Sequence, residues 1–434
     1  MIKFKWSFLG WGRAWLPVLA CLVLVTGCPV APPPECVTDA DCEEGEVCTN
    51  GVCVSAPECE TDADCDEGEV CENGVCVEAP PGPADTFPTS FHGQRQATAY
   101  HYSAANGGFE SISQVPITDL GCQACHKSPL ADGTEVEAAD YAPSCEDCHA
   151  DRNNPGPVAD DICLGCHSRQ AKERALLTDV HANAGMTCMA CHTEREMHGD
   201  GTEYDSFLSE GAMDTRCENC HADGDDPDAP IVEPESHDIH QGKLHCSACH
   251  VQSVLTCYAC HFETEAVAGI GKRWFGQAPR TGFKMLMNYD GQVRTATFQS
   301  LTFGGSSFVG VVPFVSHSIT KEGIACGDCH RQGGAGNANI EEYVSDGQIT
   351  VTAWDPEAEG ADRLVGPEGV IPVVPDWETD LLFVFPVYTG EPDDAIDMEA
   401  NLPLFDLMDP DEQGRNLLFG EPLTQEQMDD LSNF

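Results

Sequence analysis

Residues 246–261 read CSACHVQSVLTCYACH, so the pattern Cys-x-x-Cys-His occurs twice within one short stretch. The 434-residue chain contains eight copies of this pattern, whereas a shuffled chain of the same composition would contain far fewer than one. Its sixteen cysteines are Cys122, Cys125, Cys145, Cys148, Cys163, Cys166, Cys188, Cys191, Cys217, Cys220, Cys246, Cys249, Cys257, Cys260, Cys326 and Cys329. The histidines that follow them are His126, His149, His167, His192, His221, His250, His261 and His330.

This pattern is the attachment signature of c-type haem. Its two thiols add to the two vinyl groups of the haem, and the following histidine becomes the proximal ligand of the iron. Zinc is the alternative, because paired Cys-x-x-Cys knuckles can form four-cysteine sites. Zinc does not explain why a histidine follows every pair. The sequence therefore predicts eight covalently bound haem c groups.

Eight further histidines equal the predicted haems in number. They are His92, His101, His181, His198, His237, His240, His245 and His317. A low-spin haem iron takes a second axial ligand, for which imidazole is a common choice, so we predict that these histidines occupy that position and that most irons have two histidine ligands. The alternative for any one of them is an ordinary surface or core histidine. Nearby methionines are expected to pack against haem edges.

The haem-binding region, residues 91–335, carries its motifs too densely for each haem to have its own protein core. The haems should then contact one another and take the place of an apolar core. Only 11 residues separate Cys246 from Cys257, which places the sixth and seventh haems side by side. The predicted fold is mostly irregular and α-helical, with little regular secondary structure.

Two later regions predict β structure. Residues 262–316 form a β-rich insertion, with strands expected at 284–287, 292–303 and 307–315. The insertion either walls a haem, carries a docking surface or pairs with strands of the C-terminal region. That region, residues 336–434, is acidic and predicts strands at 349–354 and 381–388 and a final helix at 424–432. It is either a β-rich cap, which we favour for its first half, or a partly disordered extension.

Residues 1–27 have the features of an export signal, with basic residues before an apolar run too short for a comfortable membrane span. The run ends in Val25-Thr26-Gly27-Cys28, which resembles the lipobox of bacterial lipoproteins. The resemblance implies a lipid on Cys28 and an outer-membrane lipoprotein that faces the periplasm or the cell surface. An ordinary cleaved secretory signal is the alternative. Residues 28–35 are a proline-rich tether.

Residues 36–78 contain two small repeats, ECVTDADCEEGEVCTNGVC and ECETDADCDEGEVCENGVC. Units of this size need crosslinks, so the four cysteines of each repeat predict two disulfides, in any of three connectivities. The pairs Asp39-x-Asp41 and Asp62-x-Asp64 resemble part of a calcium loop, but the rest of the loop is missing and a solvated acidic face is favoured. Residues 79–90 are a linker.

Residues 91–335 resemble the multihaem c-type cytochromes of bacterial respiration, on the strength of the eight motifs. The number of motifs is that of octahaem enzymes with the hydroxylamine oxidoreductase or tetrathionate reductase arrangement. Those enzymes keep one iron open to substrate or give it an unusual ligand such as lysine. Here every motif ends in histidine and the further histidines suffice to occupy every second position, which favours an electron carrier over an enzyme.

Three functions are compatible with these features. The favoured one is an electron conduit. The second is an octahaem oxidoreductase that acts on a small nitrogen or sulfur compound at one open haem, for which His92, His101 and His198 are the weakest ligand candidates. The third is a filament-forming surface cytochrome. A net charge of −52 argues against a nucleic-acid partner and favours redox proteins with basic docking surfaces.

Overall fold

The computed structural model describes residues 36–43, 46–50, 52–66, 68–95, 97–117, 130–134, 141–221, 237–256, 258, 260–262, 273–274, 280–332, 335–390, 404–408, 413–417 and 419–433. The predicted signal, the tether with Cys28 and the first attachment motif (Cys122, Cys125 and His126) lie outside these residues, as does Cys257. His261 is described by its backbone alone. The chain divides into two compact units, Met1–Pro80 and Pro81–Phe434.

The first unit contains two copies of one small motif. In each repeat a short 3-10 turn, Asp39–Asp41 or Asp62–Asp64, precedes an antiparallel hairpin. The hairpin strands are β1 (Glu46–Thr49), β2 (Val52–Ser55), β3 (Glu69–Glu72) and β4 (Val75–Glu78). Asn50 and Asn73 occupy the hairpin turns with φ of 55° and 53°, a left-handed conformation that asparagine tolerates.

The structure selects one disulfide connectivity, in which the first cysteine of each repeat pairs with the third and the second with the fourth. The bonds are Cys36–Cys48, Cys42–Cys53, Cys59–Cys71 and Cys65–Cys76. In each repeat these bonds join the 3-10 turn and its flanking segment to the two strands of the hairpin. Each crosslink closes a loop of 11 or 12 residues. Closing such a loop lowers the entropy of the unfolded chain and so stabilises the folded repeat by about 3 kcal/mol.

The paired aspartates of these repeats support the main chain. The Asp41 carboxylate accepts hydrogen bonds from the N–H groups of Val37 (2.9 Å) and Thr38 (2.8 Å), and Asp39 accepts one from the N–H of Cys48 (2.9 Å). The bonds from Val37 and Thr38 lower the pKa of Asp41. The second repeat has equivalent bonds. The Asp-x-Asp spacing is thereby explained without a calcium ion.

The helices in the described part of the second unit are short. They are α1 (Pro83–Thr86), α2 (Phe91–Gln94), α3 (Ala97–Tyr102), α4 (Glu110–Ser113), α5 (Asp160–Cys166), α6 (Ser168–Leu176), α7 (Val180–Asn183), α8 (Glu194–His198), α9 (Glu218–His221), α10 (Cys246–His250), α11 (Cys326–Cys329), α12 (Ala338–Asp346), α13 (Trp377–Asp380) and α14 (Gln425–Ser432). Single 3-10 turns lie at Phe87–Thr89, Ala104–Asn106, Cys145–Asp147, Cys188–Ala190, Asp238–His240 and Gly360–Arg363.

The strands of this unit begin beyond the helical segment. They are β5 (Val254–Thr256), β6 (Cys260–His261), β7 (Arg273–Trp274), β8 (Arg280–Tyr289), β9 (Gln292–Phe303), β10 (Ser306–Pro313), β11 (Arg331–Gln332), β12 (Ala335–Gly336), β13 (Ile349–Thr350), β14 (Ala353–Trp354), β15 (Leu364–Val365), β16 (Gly369–Pro372), β17 (Leu381–Leu382), β18 (Pro386–Tyr388), β19 (Phe405–Leu407) and β20 (Gln413–Leu417).

One sheet organises this half of the unit. Its main order is β16-β8-β9-β10-β20, in which β8, β9 and β10 are antiparallel to one another and form a meander, while β5, β6 and β7 pair at its side. The outer strands β16 and β20 come from the C-terminal region and pair in parallel with β8 and β10. The three strands predicted for the insertion are confirmed, and the insertion pairs with the C-terminal region, one of the three roles foreseen for it.

Predictions for the C-terminal region were right in part. Helix α14 lies within the predicted range, and Thr424 caps it by accepting a hydrogen bond from the N–H of Gln427 (3.2 Å). The predicted strand at 349–354 is divided into β13 and β14, which pair with different partners. The predicted strand at 381–388 is likewise divided into β17 and β18.

The apolar core belongs to the sheet and the C-terminal region. Fully buried side chains such as Met285, Phe298, Val309 and Phe385 form one cluster there. Among residues 141–221, by contrast, the buried residues are Glu173, Glu196, Ser206 and Ala212. This segment holds four attachment motifs without an apolar core of its own, as expected if bound haems fill the space.

Candidate haem-binding site

A connected cavity of about 4830 Å³ lies between the helical segment and the sheet. A site for one small ligand typically measures about 300–1,000 Å³, so this cavity has room for several large groups. Each of the seven described attachment motifs contributes at least one residue to its lining, and so do all eight further histidines. Strands β9 and β10 form part of the wall, for example with Thr297 and Phe308. The insertion therefore walls the cavity as well as pairing with the C-terminal region.

Six of the seven described attachment motifs form a helical turn, and the seventh, at 257–261, ends in strand β6. The N–H of the motif histidine donates to the carbonyl of the first cysteine in five of them, at 2.9 Å for His149, 2.9 Å for His167, 3.0 Å for His192, 3.1 Å for His221 and 2.8 Å for His330. The sixth, at Cys246–His250, is helix α10. One turn of helix brings two thiols and one imidazole to the same side of the backbone, which is the arrangement that thioether attachment and iron ligation require together.

Five attachment histidines each face one of the further histidines. The ring centres are 6.1 Å apart for His149 and His198, 6.0 Å for His167 and His92, 6.1 Å for His221 and His181, 6.1 Å for His250 and His237, and 6.2 Å for His330 and His240. Each pair joins an attachment histidine to a member of the further set, and the spacing is nearly uniform.

This spacing fits a metal ion between the rings. A metal–imidazole bond is about 2.0–2.1 Å long, so a metal separates two facing nitrogens by about 4 Å, and their ring centres by a further ring radius on each side. Ordinary aromatic contacts span about 4.5–7 Å, so the distance alone does not decide. Metal ligation is favoured because the spacing is uniform and because every pair joins an attachment histidine to a further histidine.

The remaining further histidines have other described neighbours. His101 Nε2 lies 3.3 Å from Ser206 Oγ, and its ring packs against Phe207 and Phe419. His245 Nδ1 lies 2.9 Å from Ser247 Oγ, and His317 Nδ1 lies 3.2 Å from Glu173 Oε2. All three line the cavity.

Hydrogen bonds at Nδ1 orient two of the attachment histidines. His250 Nδ1 lies 2.9 Å from the carbonyl oxygen of Thr320, and His330 Nδ1 lies 3.2 Å from that of Asp430. A carbonyl oxygen only accepts, so Nδ1 carries the proton and donates. The neutral ring then has its lone pair on Nε2, which is the atom left to bind a metal.

Two buried carboxylates have the same role toward other histidines. Glu196 Oε2 lies 2.8 Å from His192 Nδ1, and Glu173 Oε2 lies 3.2 Å from His317 Nδ1. Glu173 raises the pKa of His317. Burial alone would raise the pKa of Glu196, but hydrogen bonds from His192 and Thr215 outweigh burial and lower it.

These two carboxylates were not predicted from the sequence. Glu196 follows His192 by four residues, which places the two on one face of a helical turn and is a usable signal. Glu173 is 144 residues from His317 and offers no local signal. Burial also acts on the ligand candidates directly, since it lowers the pKa of His92 to about 4 and keeps that imidazole neutral.

Contacts link the first three described attachment turns. Helix α2 lies between the first two, because its His92 faces His167. Arg95, which follows the helix that carries His92, donates to Asp147 in the turn at 145–149 (3.0 Å). Asp160, at the start of the helix with the 163–167 motif, accepts the N–H of Cys188 (2.9 Å). The side chains of Cys163 and Cys188 are within hydrogen-bond reach of each other.

The contacts continue through the later turns. The Thr215 hydroxyl donates to the carbonyl of Cys191 (2.9 Å) from just before the 217–221 motif. Cys246 Sγ lies 3.7 Å from Glu218 Oε1, within the 217–221 turn. The carbonyl of Cys249 accepts the N–H of Ile324 (3.0 Å), just before the 326–330 motif. Six attachment turns are thus neighbours in one series.

Comparison with known proteins points the same way. Residues 180–262 match the cytochrome c3 family, and residues 156–197 match the doubled CXXCH motif. The chain is also 27% identical over 179 residues to the multiheme cytochrome MtrA of Shewanella baltica (strain OS185), covering 37% of this chain and 48% of that protein. These matches support a multihaem c-type cytochrome. They also support covalently bound haem c.

The matches cover parts of the chain. The match to MtrA spans about half the length of that cytochrome. Residues 35–78, which contain both cysteine-rich repeats, match a domain of unknown function (DUF7107). No solved structure matches the chain significantly. Multihaem c-type cytochromes are typically exported proteins. None of the helices described in this chain is both long and apolar enough to cross a membrane.

Proposed function

We propose that this cytochrome is an electron carrier that holds eight covalently bound haem c groups, most of them between two histidines. When bound, haem c supplies an iron that alternates between the ferric and ferrous states and so takes up or releases one electron. The observation that carries the proposal is the set of five histidine pairs, each formed by one attachment histidine and one further histidine at 6.0–6.2 Å.

Occupied axial positions favour a carrier over a catalyst. An enzyme of this type needs one open coordination position for its substrate, and so one further histidine that binds no iron. Of the three weakest ligand candidates, His92 faces His167 and His198 faces His149. We assign His101, His245 and His317 to the remaining three motifs because all three line the same cavity.

The series of attachment turns supports the same function. An electron carrier needs redox sites that follow one another without a gap. The contacts described above connect the turns in the order 145–149, 163–167, 188–192, 217–221, 246–250 and 326–330. The surrounding residues fix this order by hydrogen bonds, so the separation of neighbouring turns is set by the fold.

We further propose that the carrier is an outer-membrane lipoprotein held by a lipid on Cys28, and that it docks with redox proteins through their basic surfaces. The net charge of −52 supports such partners, because it would steer a basic protein toward this one. Stopped-flow reduction by a basic redox protein at several ionic strengths tests this, and a rate that does not change with salt would exclude the steering.

Electron paramagnetic resonance of the intact oxidised protein tests the ligation. We expect low-spin ferric signals and no high-spin ferric signal, together with a mass that corresponds to eight attached haems. The variant His198→Ala should convert one haem to high spin and leave the others unchanged. A high-spin signal in the unaltered protein would contradict complete histidine ligation and favour the oxidoreductase.

A further inference from the structure

A buried lysine lies beside the attachment turn at 246–250. Lys284 is in the middle of strand β8, is 1% exposed and is flanked in sequence by the buried Phe283 and Met285. Its Nζ donates hydrogen bonds to the carbonyl oxygens of Ala248 (2.7 Å) and Val251 (2.6 Å). The two carbonyls belong to the attachment turn itself and to the residue that follows His250.

In the described part of the chain, no carboxylate forms an ion pair with this ammonium. Its hydrogen-bond acceptors there are both main-chain carbonyls, and the acidic group that acts on it, Asp328, does so only through its charge. Burial lowers the pKa of Lys284 to about 8. The amine therefore remains mainly protonated at neutral pH and places a positive charge in the apolar core.

The lysine is close to two attachment turns. Its charge acts on both Cys249 and Cys329, which belong to different motifs. The two turns are in contact with each other, because the carbonyl of Cys249 accepts the N–H of Ile324 (3.0 Å) and Gly323 lies against the side chain of Cys249. One buried charge is thus shared by two neighbouring redox sites.

A purely structural role would not require a charge here. An uncompensated buried charge is costly, and the neighbouring core positions of the strand are apolar. A positive charge in a low-dielectric interior stabilises an added electron nearby more strongly than an exposed charge does. Local charge and burial are among the means by which proteins set haem potentials.

We propose that Lys284 is a positioning charge that raises the reduction potentials of the haems attached at Cys246–His250 and Cys326–His330. An electron carried by the protein would then reside preferentially on these two haems. The proposal rests on haem attachment at these two motifs and not on complete histidine ligation, so a high-spin signal elsewhere in the protein would leave it standing.

Spectroelectrochemical titration of the intact holoprotein at pH 7 tests the proposal. In Lys284→Met, the part of the titration that corresponds to about two haems should shift to lower potential. Lys284→Arg, which keeps the charge, should titrate like the unaltered protein. The matched control is Lys243→Met, since Lys243 is exposed, is not among the residues that line the cavity and lies three positions before Cys246. Because its charge is screened by solvent, its removal should leave the curve nearly unchanged.

Haem content and thermal unfolding of each variant are measured first. Lys284→Gln, which keeps a hydrogen-bond donor, is the second neutral variant if Lys284→Met does not assemble. A neutral variant with full haem content and an unchanged curve would overturn the proposal. So would equal shifts in Lys284→Met and Lys284→Arg, or failure of both neutral variants to assemble while Lys284→Arg does, because either result assigns Lys284 a structural role.

Discussion

His237 caps the 3-10 turn that ends at His240, yet the two face histidines of two different attachment motifs. His237 lies 6.1 Å from His250, and His240 lies 6.2 Å from His330, with ring planes inclined by 15° and 9°. Residues three apart on such a turn project to the same side of the backbone. The turn therefore places the sixth and eighth attachment sites next to each other, although 80 residues separate Cys246 from Cys326 in sequence.

This relationship predicts the effect of removing each histidine. His237→Ala and His240→Ala should each convert one haem from low spin to high spin, and the double variant should convert two. Electron paramagnetic resonance of the oxidised proteins measures this directly. Gln241→Gly is the control on the same turn, because Gln241 has a φ of 51° that glycine adopts without strain. A spectrum of the double variant without high-spin signals would show that the turn does not supply ligands.

Sequence position identified the ligand candidates but not their partners. His181 lies seven residues before Cys188, but it faces His221 of the next motif. His245 directly precedes Cys246, but the ring that faces His250 is that of His237. Such pairs depend on long-range packing, for which local spacing carries no information.

The strand pairings show the same difference between local and long-range contacts. Alternation and turn residues predicted β8, β9 and β10, because these strands form a local antiparallel meander. The parallel pairing of β16 with β8 and of β20 with β10 joins segments that are far apart in sequence. The disulfide connectivity was similarly undecidable, since all three arrangements satisfy the cysteine spacing.

The buried Glu196 should affect both stability and potential. Its carboxylate accepts N–H bonds from Asp214 and Thr215, each at 2.6 Å, and also contacts His192. Glu196→Gln replaces one acceptor oxygen with an amide, so we expect a loss of about 1–3 kcal/mol in the free energy of unfolding. The ring of His192 would also become less basic, which should raise the potential of the haem at Cys188–His192.

Denaturant titration and spectroelectrochemistry check these two effects. Glu203→Gln is the matched control, because Glu203 lies in the same part of the chain, is exposed and is not among the residues that line the cavity. Equal behaviour of the two variants would refute a specific role for the buried carboxylate.

The disulfide pairing can be tested by peptide mapping without reduction. We expect peptides that link Cys36 to Cys48 and Cys42 to Cys53, with equivalent links in the second repeat. Replacement of Cys42 and Cys53 by alanine should destabilise the first repeat by about 2–5 kcal/mol. Limited proteolysis should then cleave within 36–55 in the variant, while the second repeat serves as an internal control. Peptides that link the first cysteine to the second or the fourth would contradict the connectivity.

Asp179 predicts a loss of stability in acid. Burial alone would raise the pKa of Asp179, but hydrogen bonds from His181 and from the N–H groups of Ile319 and Ala182 outweigh burial and lower it. A carboxyl group with a lower pKa in the folded state stabilises the protein above its unfolded pKa, near 3.8, and this contribution disappears as the pH falls toward the folded value. The free energy of unfolding should therefore decrease below about pH 4.

Asp179→Asn should be less stable at pH 7 and lose less stability between pH 5 and pH 3 than the unaltered protein, as measured by denaturant titration at each pH. Parallel pH profiles for the two proteins would show that Asp179 does not contribute to the acid sensitivity.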